Sequence, residues 1–169
     1  MEPEVLVCDE AFSAQDVLTQ EQLAELLERI QAETGLSYLF ISHDLDMVRR
    51  IAHRMGVMYR GSMVEQGRTA ELCKDPWHPY TKKLLGSMLP ISLKKTAGHG
   101  QTLLRDETEA FGEAGQGCPF APKCSYAMEC CRKEKPDNYR FGNREVRCFL
   151  YSEAHTGKRA EGYRMSSQI

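Results

Sequence analysis

Apolar residues in the first third of the chain fall into two short runs and one spaced series. The runs are Val5-Leu6-Val7-Cys8 and Ser37-Tyr38-Leu39-Phe40-Ile41. Each is too short for a helix and is closed by polar residues, Asp9-Glu10 in one case and Ser42-His43-Asp44 in the other. Runs of this kind predict buried strands of a parallel sheet. Between them Leu23, Leu26, Leu27 and Ile30 recur at helical spacing, with Glu21, Glu25, Glu28 and Arg29 on the opposite face. Asp16 or Thr19 can cap this helix, and Gly35 after Thr34 can end it in the left-handed region. Strand, helix and strand in that order make a parallel βαβ crossover. It brings both carboxyl ends, and with them Asp9, Glu10 and His43, to one edge of the sheet.

The pattern then changes. A short helix is predicted from about Leu45 to His53, with Met47, Val48, Ile51 and Ala52 apolar and Arg49 and Arg50 polar. Met55 to Tyr59 and Ser62 to Gly67 alternate around a turn at Arg60-Gly61 and predict a hairpin. Thr69 is placed to cap a helix running to about Cys73, and Tyr80 to Leu89 predicts one more amphipathic segment after the prolines of Asp75-Pro76-Trp77-His78-Pro79. These elements read as completion of a sheet. From Pro90 to Gly117 the chain is polar and Gly-rich, a linker composition, and Ser152 to Ile169 has no periodicity and reads as a flexible tail.

The chemistry sits at the predicted sheet edge. An acid at the end of such a strand can hold Mg²⁺ on phosphates, and a neighbouring carboxylate can orient or deprotonate a water. Imidazole at the tip of the next strand can donate one hydrogen bond while accepting another. His53, His99 and His155 lack such a setting and read as structural or solvent-facing. A net charge of −2 over 169 residues predicts nothing about partners, and no nucleic-acid partner is expected. No apolar run approaches the roughly twenty residues that span a bilayer, and no signal peptide opens the chain.

With these residues in place, Val5 to Tyr80 resembles the C-terminal half of the ATPase subunit of an ABC transporter, of the branch that energises peptide and nickel importers. The resemblance rests on a Walker B run ending in Asp9-Glu10, a D-loop as Ser13-Ala14-Gln15-Asp16, a switch histidine in Ile41-Ser42-His43-Asp44-Leu45, and His78-Pro79-Tyr80-Thr81. It covers roughly residues 2 to 151. It implies that Glu10 and His43 are catalytic, that Asp9 holds Mg²⁺ through a water and that Asp16 serves the nucleotide site from the D-loop. It further implies a second ATPase subunit and membrane permease subunits as partners, with the chain cytoplasmic and peripheral to the inner face of the membrane. The D-loop departs from the usual family pattern at Ala11, Phe12 and Gln15. No G-x-x-x-x-G-K-[ST] phosphate loop and no Ser-Gly-Gly-Gln signature occurs in the chain. The expectation is therefore a separate N-terminal half, a truncated gene or a fragment, and no ATP binding by this chain alone.

Five of the seven cysteines, Cys118, Cys124, Cys130, Cys131 and Cys148, lie in the last third. Disulfides are disfavoured in the cytoplasm, so this density reads first as metal ligation by Cys118, Cys124, Cys131 and Cys148. Four thiolates suit zinc or an iron–sulfur cluster, and the wide intervals fit a loop around a larger cluster better than a zinc ribbon. The run from Cys118 to Met128, with Cys131 and Pro136, resembles the C-terminal domain of peptide-importer ATPases, some of which hold a [4Fe–4S] cluster there. That resemblance puts iron–sulfur first and zinc second. Cys130 is extra to the pattern, and Cys8 and Cys73 read as small apolar fillers.

The fold expectation is α/β: a partial P-loop NTPase (ABC ATPase) core with a parallel βαβ and a following hairpin, plus a small Cys-rich C-terminal module. Residues 1–89 form the ATPase-like part, 90–117 the linker, 118–151 the module and 152–169 the tail. Two functions compete. One is a motor part supplying carboxylates and switch histidine to ATP hydrolysis in import of peptides or nickel. The other is a truncated, non-catalytic remnant that binds metal and contacts a partner.

Overall fold

The computed structural model describes residues 3–11, 15–87 and 116–152. The chain divides between Met55 and Gly56 into two compact units.

In the first unit, β1 (Val5–Asp9), α1 (Val17–Thr34), β2 (Ser37–Ile41) and α2 (Leu45–Ile51) follow in the predicted order. β1 and β2 pair in parallel with Val5 opposite Ser37 and Asp9 opposite Ile41, so the two carboxyl ends share an edge. Asp16 is the cap of α1: its carboxylate accepts from the Thr19 amide at 3.0 Å and from the Thr19 hydroxyl at 2.8 Å. Gly35 ends the helix at φ 70°, with its N–H on the Gln31 carbonyl. Asp44 caps α2, accepting from the amides of Asp46 and Met47.

The small core of this unit is Ala24 against Met47, with Leu23, Leu27, Phe40 and Ile51 packed around them. Tyr38 adds a hydrogen bond from its hydroxyl to the Leu27 carbonyl at 3.2 Å. Burial of the two strands is where expectation fails. Leu26 is exposed, and Val5, Val7, Leu39 and Ile41 are 49–58 % exposed. Alternation explains this: Tyr38 and Phe40 turn toward α1, whereas Val5, Val7, Leu39 and Ile41 share the other face, which no other described element of this unit covers. Among the described residues the parallel sheet has these two strands alone.

The second unit is built on an antiparallel sheet. β3 (Arg54–Tyr59) and β4 (Ser62–Arg68) form the predicted hairpin, and Arg60 and Gly61 both have positive φ, 47° and 74°, as a two-residue primed turn requires. The sheet continues beyond it in the order β3-β4-β6-β5, where β5 is Tyr139–Phe141 and β6 is Arg144–Val146. Glu65 pairs with Val146 and Gln66 with Glu145. The hairpin and the Cys-rich region, assigned to different parts of the chain from sequence, thus share one sheet. Gly117, counted with the linker, is packed so that a Cβ would meet the Cys131 carbonyl oxygen at 2.6 Å. Calls on the rest of the linker and on all but Ser152 of the tail lie outside the described residues.

Two short helices follow the hairpin, α3 (Thr69–Lys74) and α4 (Pro79–Ser87), and α5 (Glu129–Lys133) lies in the Cys-rich region. Thr69 is not the cap of α3. It is the first helical residue, and its hydroxyl is buried without a hydrogen-bond partner. Leu72, His78, Glu65, Val146 and Thr81 are the largest fully buried side chains.

Candidate functional site

The first site is the shared strand edge of the first unit. The ladder carries one bond past β1, from the Glu10 amide to the Ile41 carbonyl at 2.8 Å. Glu10 itself sits at φ 48°, in the left-handed region that non-glycine residues rarely adopt. That turn sends its carboxylate toward the next strand tip, where Oε2 meets His43 Nδ1 at 2.8 Å. The other polar residues of the β2 turn are committed locally. The Ser42 hydroxyl accepts from the Asp44 amide at 3.0 Å, and Asp44 caps α2. Of Ser42-His43-Asp44, the histidine is the residue presented to the edge, and it is exposed.

The hydrogen bond that His43 donates to Glu10, then the negative charge of Glu10, raise the His43 pKa above the ordinary 6.5. Asp9 is exposed at the tip of β1, one residue from Glu10. The structure therefore brings together Glu10 and His43 and leaves Asp9 beside them. Asp16 stands apart in role: its carboxylate is engaged by Thr19, first through the backbone amide, and those bonds hold it below the usual carboxylate range.

The second site is a pocket in the second unit lined by Cys118, Cys124, Cys131 and Cys148 together with His78 and Phe120. Four segments converge on it. The Cys118 amide donates to the Cys131 carbonyl at 2.8 Å, and the Met128 amide donates to Cys131 Sγ at 3.4 Å. Burial pushes the Cys148 thiol up to about 12 and raises Cys124 as well. Among the described residues no group of three or more His, Cys, Asp or Glu is arranged to hold a single metal ion. None of the seven cysteines is in a disulfide.

His78 is the residue that sequence reasoning undervalued. It is 1 % exposed, and burial lowers its pKa to about 4. Its Nδ1 accepts the Tyr80 amide at 3.0 Å, and its own amide donates to Glu65 at 2.9 Å. The family resemblance implies that the Trp77-His78-Pro79-Tyr80 cluster packs the C-terminal extension onto the core, and the two prolines flanking Trp77 and His78 hint locally that the segment is fixed.

Residues 64–131 match the family described as oligopeptide/dipeptide transporter, C-terminal region. The chain is similar to a peptide import ATP-binding protein of Brucella abortus, 42 % identical over 151 residues, covering 89 % of this chain and 44 % of that protein. The chain belongs to the ABC ATPases of the peptide-importer family. Further relatives are a dipeptide transport ATP-binding protein of Caldanaerobacter subterraneus, 36 % identical over 90 % of this chain and 46 % of the relative, and an oligopeptide transport ATP-binding protein of Bacillus subtilis, 39 % identical over 90 % and 46 %. The chain thus spans less than half the length of these curated relatives. No helix of the described residues is long and apolar enough to cross a membrane.

Proposed function

We propose that this chain supplies the magnesium-facing and water-activating part of an ATP site in an importer of peptides or nickel, with the phosphate loop coming from another polypeptide segment. The observation that carries this is the 2.8 Å contact between Glu10 Oε2 and His43 Nδ1 at adjacent strand tips. With Nδ1 bound to the carboxylate, the histidine's Nε2 is the atom free in direction to face a γ-phosphate, and the raised pKa favours a proton there. Glu10 is then the acceptor for the proton of an attacking water, and Asp9 holds Mg²⁺ through a water. Asp16 contributes by fixing the start of α1 beside the D-loop. The working protein is cytoplasmic and reaches the membrane through permease subunits, paired with a second ATPase subunit.

The test is complementation. The chain is mixed with a polypeptide carrying the phosphate loop and Ser-Gly-Gly-Gln, and ATP hydrolysis is measured. Hydrolysis that Glu10→Gln abolishes supports the assignment. Equal hydrolysis in wild type and Glu10→Gln overturns it. The chain alone is expected to bind no ATP, because an acid pair without a phosphate loop has nothing to grip the triphosphate.

For the sulfur-lined pocket we propose a [4Fe–4S] cluster on Cys118, Cys124, Cys131 and Cys148, with zinc as the second choice. The presence of these four cysteines in the lining of one pocket supports the choice. When bound, such a cluster supplies a staple between chain segments and a one-electron redox centre. Anaerobic reconstitution should give a brown protein, and a colourless protein with one zinc overturns this. The rival function is a metal-binding module that contacts a partner without catalysing hydrolysis. Failure of the complementation assay together with iron binding would select it.

A further inference from the structure

The four cysteines of the pocket differ in how the backbone holds them. Cys118 and Cys131 are joined directly, the amide of the first donating to the carbonyl of the second at 2.8 Å. The approach is close on either side of that bond: a Cβ at Gly117 would stand 2.6 Å from the same carbonyl oxygen and 2.7 Å from that of Arg132. One such bond sets the two Cα atoms roughly 5–6.5 Å apart, inside the range of about 4.4–6.8 Å that a disulfide spans. Among the described residues no other two of the four share a backbone bond, and Cys130, beside Cys131 in α5, is not part of the pocket lining. The space that Cys118, Cys124, Cys131 and Cys148 border is on the scale of one water molecule. A larger group needs the lining to part, whereas a bond between two of its own sulfurs does not.

We infer that Cys118 and Cys131 are a redox-sensitive pair that closes into a disulfide when the chain meets a low-molecular-weight disulfide such as oxidised glutathione. Cys118 is half-buried and Cys131 is 8 % exposed, so Cys118 is the residue that meets the oxidant. Its sulfur attacks one sulfur of the oxidant, the S–S bond breaks and one small thiol leaves. Cys131 then attacks the Cys118 sulfur of the mixed disulfide, and the second small thiol leaves. The two cysteines lose two electrons, the oxidant gains them, and the two thiol protons end on the released thiols. The closed bond ties Gly117-Cys118, ahead of the turn at Ala121–Lys123, onto α5. It also withdraws two sulfurs from any metal, so oxidation and metal binding exclude each other. The pairing itself does not depend on a cluster.

The experiment uses the full chain, reduced, stripped of metal with a chelator and then exposed to oxidised glutathione. The remaining thiols are alkylated and the cross-links mapped by tandem mass spectrometry. Two thiols per chain should be lost to a Cys118–Cys131 link, and dithiothreitol should restore them. Cys124→Ser should keep the link, and Cys118→Ser should lose it. The oxidised chain should also need more urea to unfold than the reduced one, because the link restricts the unfolded state. Major cross-links through Cys124, Cys130 or Cys148, or glutathione left bound in place of a link, overturn the pairing. So does a chain whose seven thiols all survive the oxidant. If Cys118→Ser does not fold, the cross-link map of the wild type decides by itself.

Discussion

Glu65 and Arg144 lie 79 positions apart in the chain and meet at 2.7 Å in its interior, the carboxylate fully buried and the guanidinium nearly so. The carboxylate also accepts two backbone amides, from Trp77 and His78. The guanidinium bonds the Asp75 carbonyl and lies 3.8 Å from the centre of the Trp77 ring. Trp77 in turn stacks on Tyr151 and meets Phe141 edge-on. Hairpin, proline-flanked loop and C-terminal strands are joined through this one pair. Removing one member of a buried pair leaves an uncompensated charge, so Arg144→Leu should cost about 3–5 kcal/mol. Urea denaturation measures it, and a loss below about 1 kcal/mol, the scale of an exposed pair, would contradict this account.

The Glu10–His43 contact predicts a titration. The folded imidazole keeps its proton above the ordinary 6.5, so the charged pair is complete below that value and is lost as pH rises through the raised one. Histidine ring resonances followed by NMR against pH should show one group titrating above 6.5. In Glu10→Gln that group should move back toward 6.5, since both leading causes of the shift belong to Glu10. A His43 curve indifferent to the Glu10 substitution would remove the basis for pairing them in a mechanism.

Two glycines make a matched pair. A Cβ at Gly117 would stand 2.6 Å from the Cys131 carbonyl oxygen and 2.7 Å from that of Arg132, whereas nothing lies within 4 Å of one at Gly86. Gly117→Ala should therefore cost about 1–3 kcal/mol by overpacking. Gly86→Ala, inside α4, should gain about 0.4–1 kcal/mol by restricting the unfolded chain. Thermal unfolding of both variants gives the signs, and a stabilising Gly117→Ala would mean that the Gly117–Cys118 segment does not run against Cys131.

Thr81 is fully buried, and its hydroxyl has no hydrogen-bond partner. Thr81→Val keeps the shape and removes the stranded oxygen. A stranded buried polar group costs about 1–3 kcal/mol, so the variant should be more stable by a good part of that. A destabilised Thr81→Val would show that the hydroxyl is satisfied in solution, by a water for example.

What could be read from the sequence was local. The β1-α1-β2 unit follows from spacing alone, and the hairpin from Arg60-Gly61, because each signal lies within a few residues of the element it creates. The three-residue strands Tyr139–Phe141 and Arg144–Val146 are shorter than any alternation that could announce them, and the Glu65–Arg144 pair has no local signature. The apolar run of β1 misled in a different way. Such a run says what a strand would bury if something lay against it, and here one face of Val5, Val7, Leu39 and Ile41 stays open. At the strand edge, Glu10 and His43 were legible as types at the tips of neighbouring strands. The left-handed backbone of Glu10, which aims one at the other, was not.

The ladder between β4 and β6 carries a practical consequence. It ties residues on one side of positions 88–115 to residues on the other, through Glu65 opposite Val146 and Gln66 opposite Glu145. Two polypeptides, one stopping after Ser87 and one starting at Gln116, would each hold half of the same set of bonds. They should find each other when co-expressed, which makes that interval a place where a reporter can be spliced in or the backbone cut without the pieces parting.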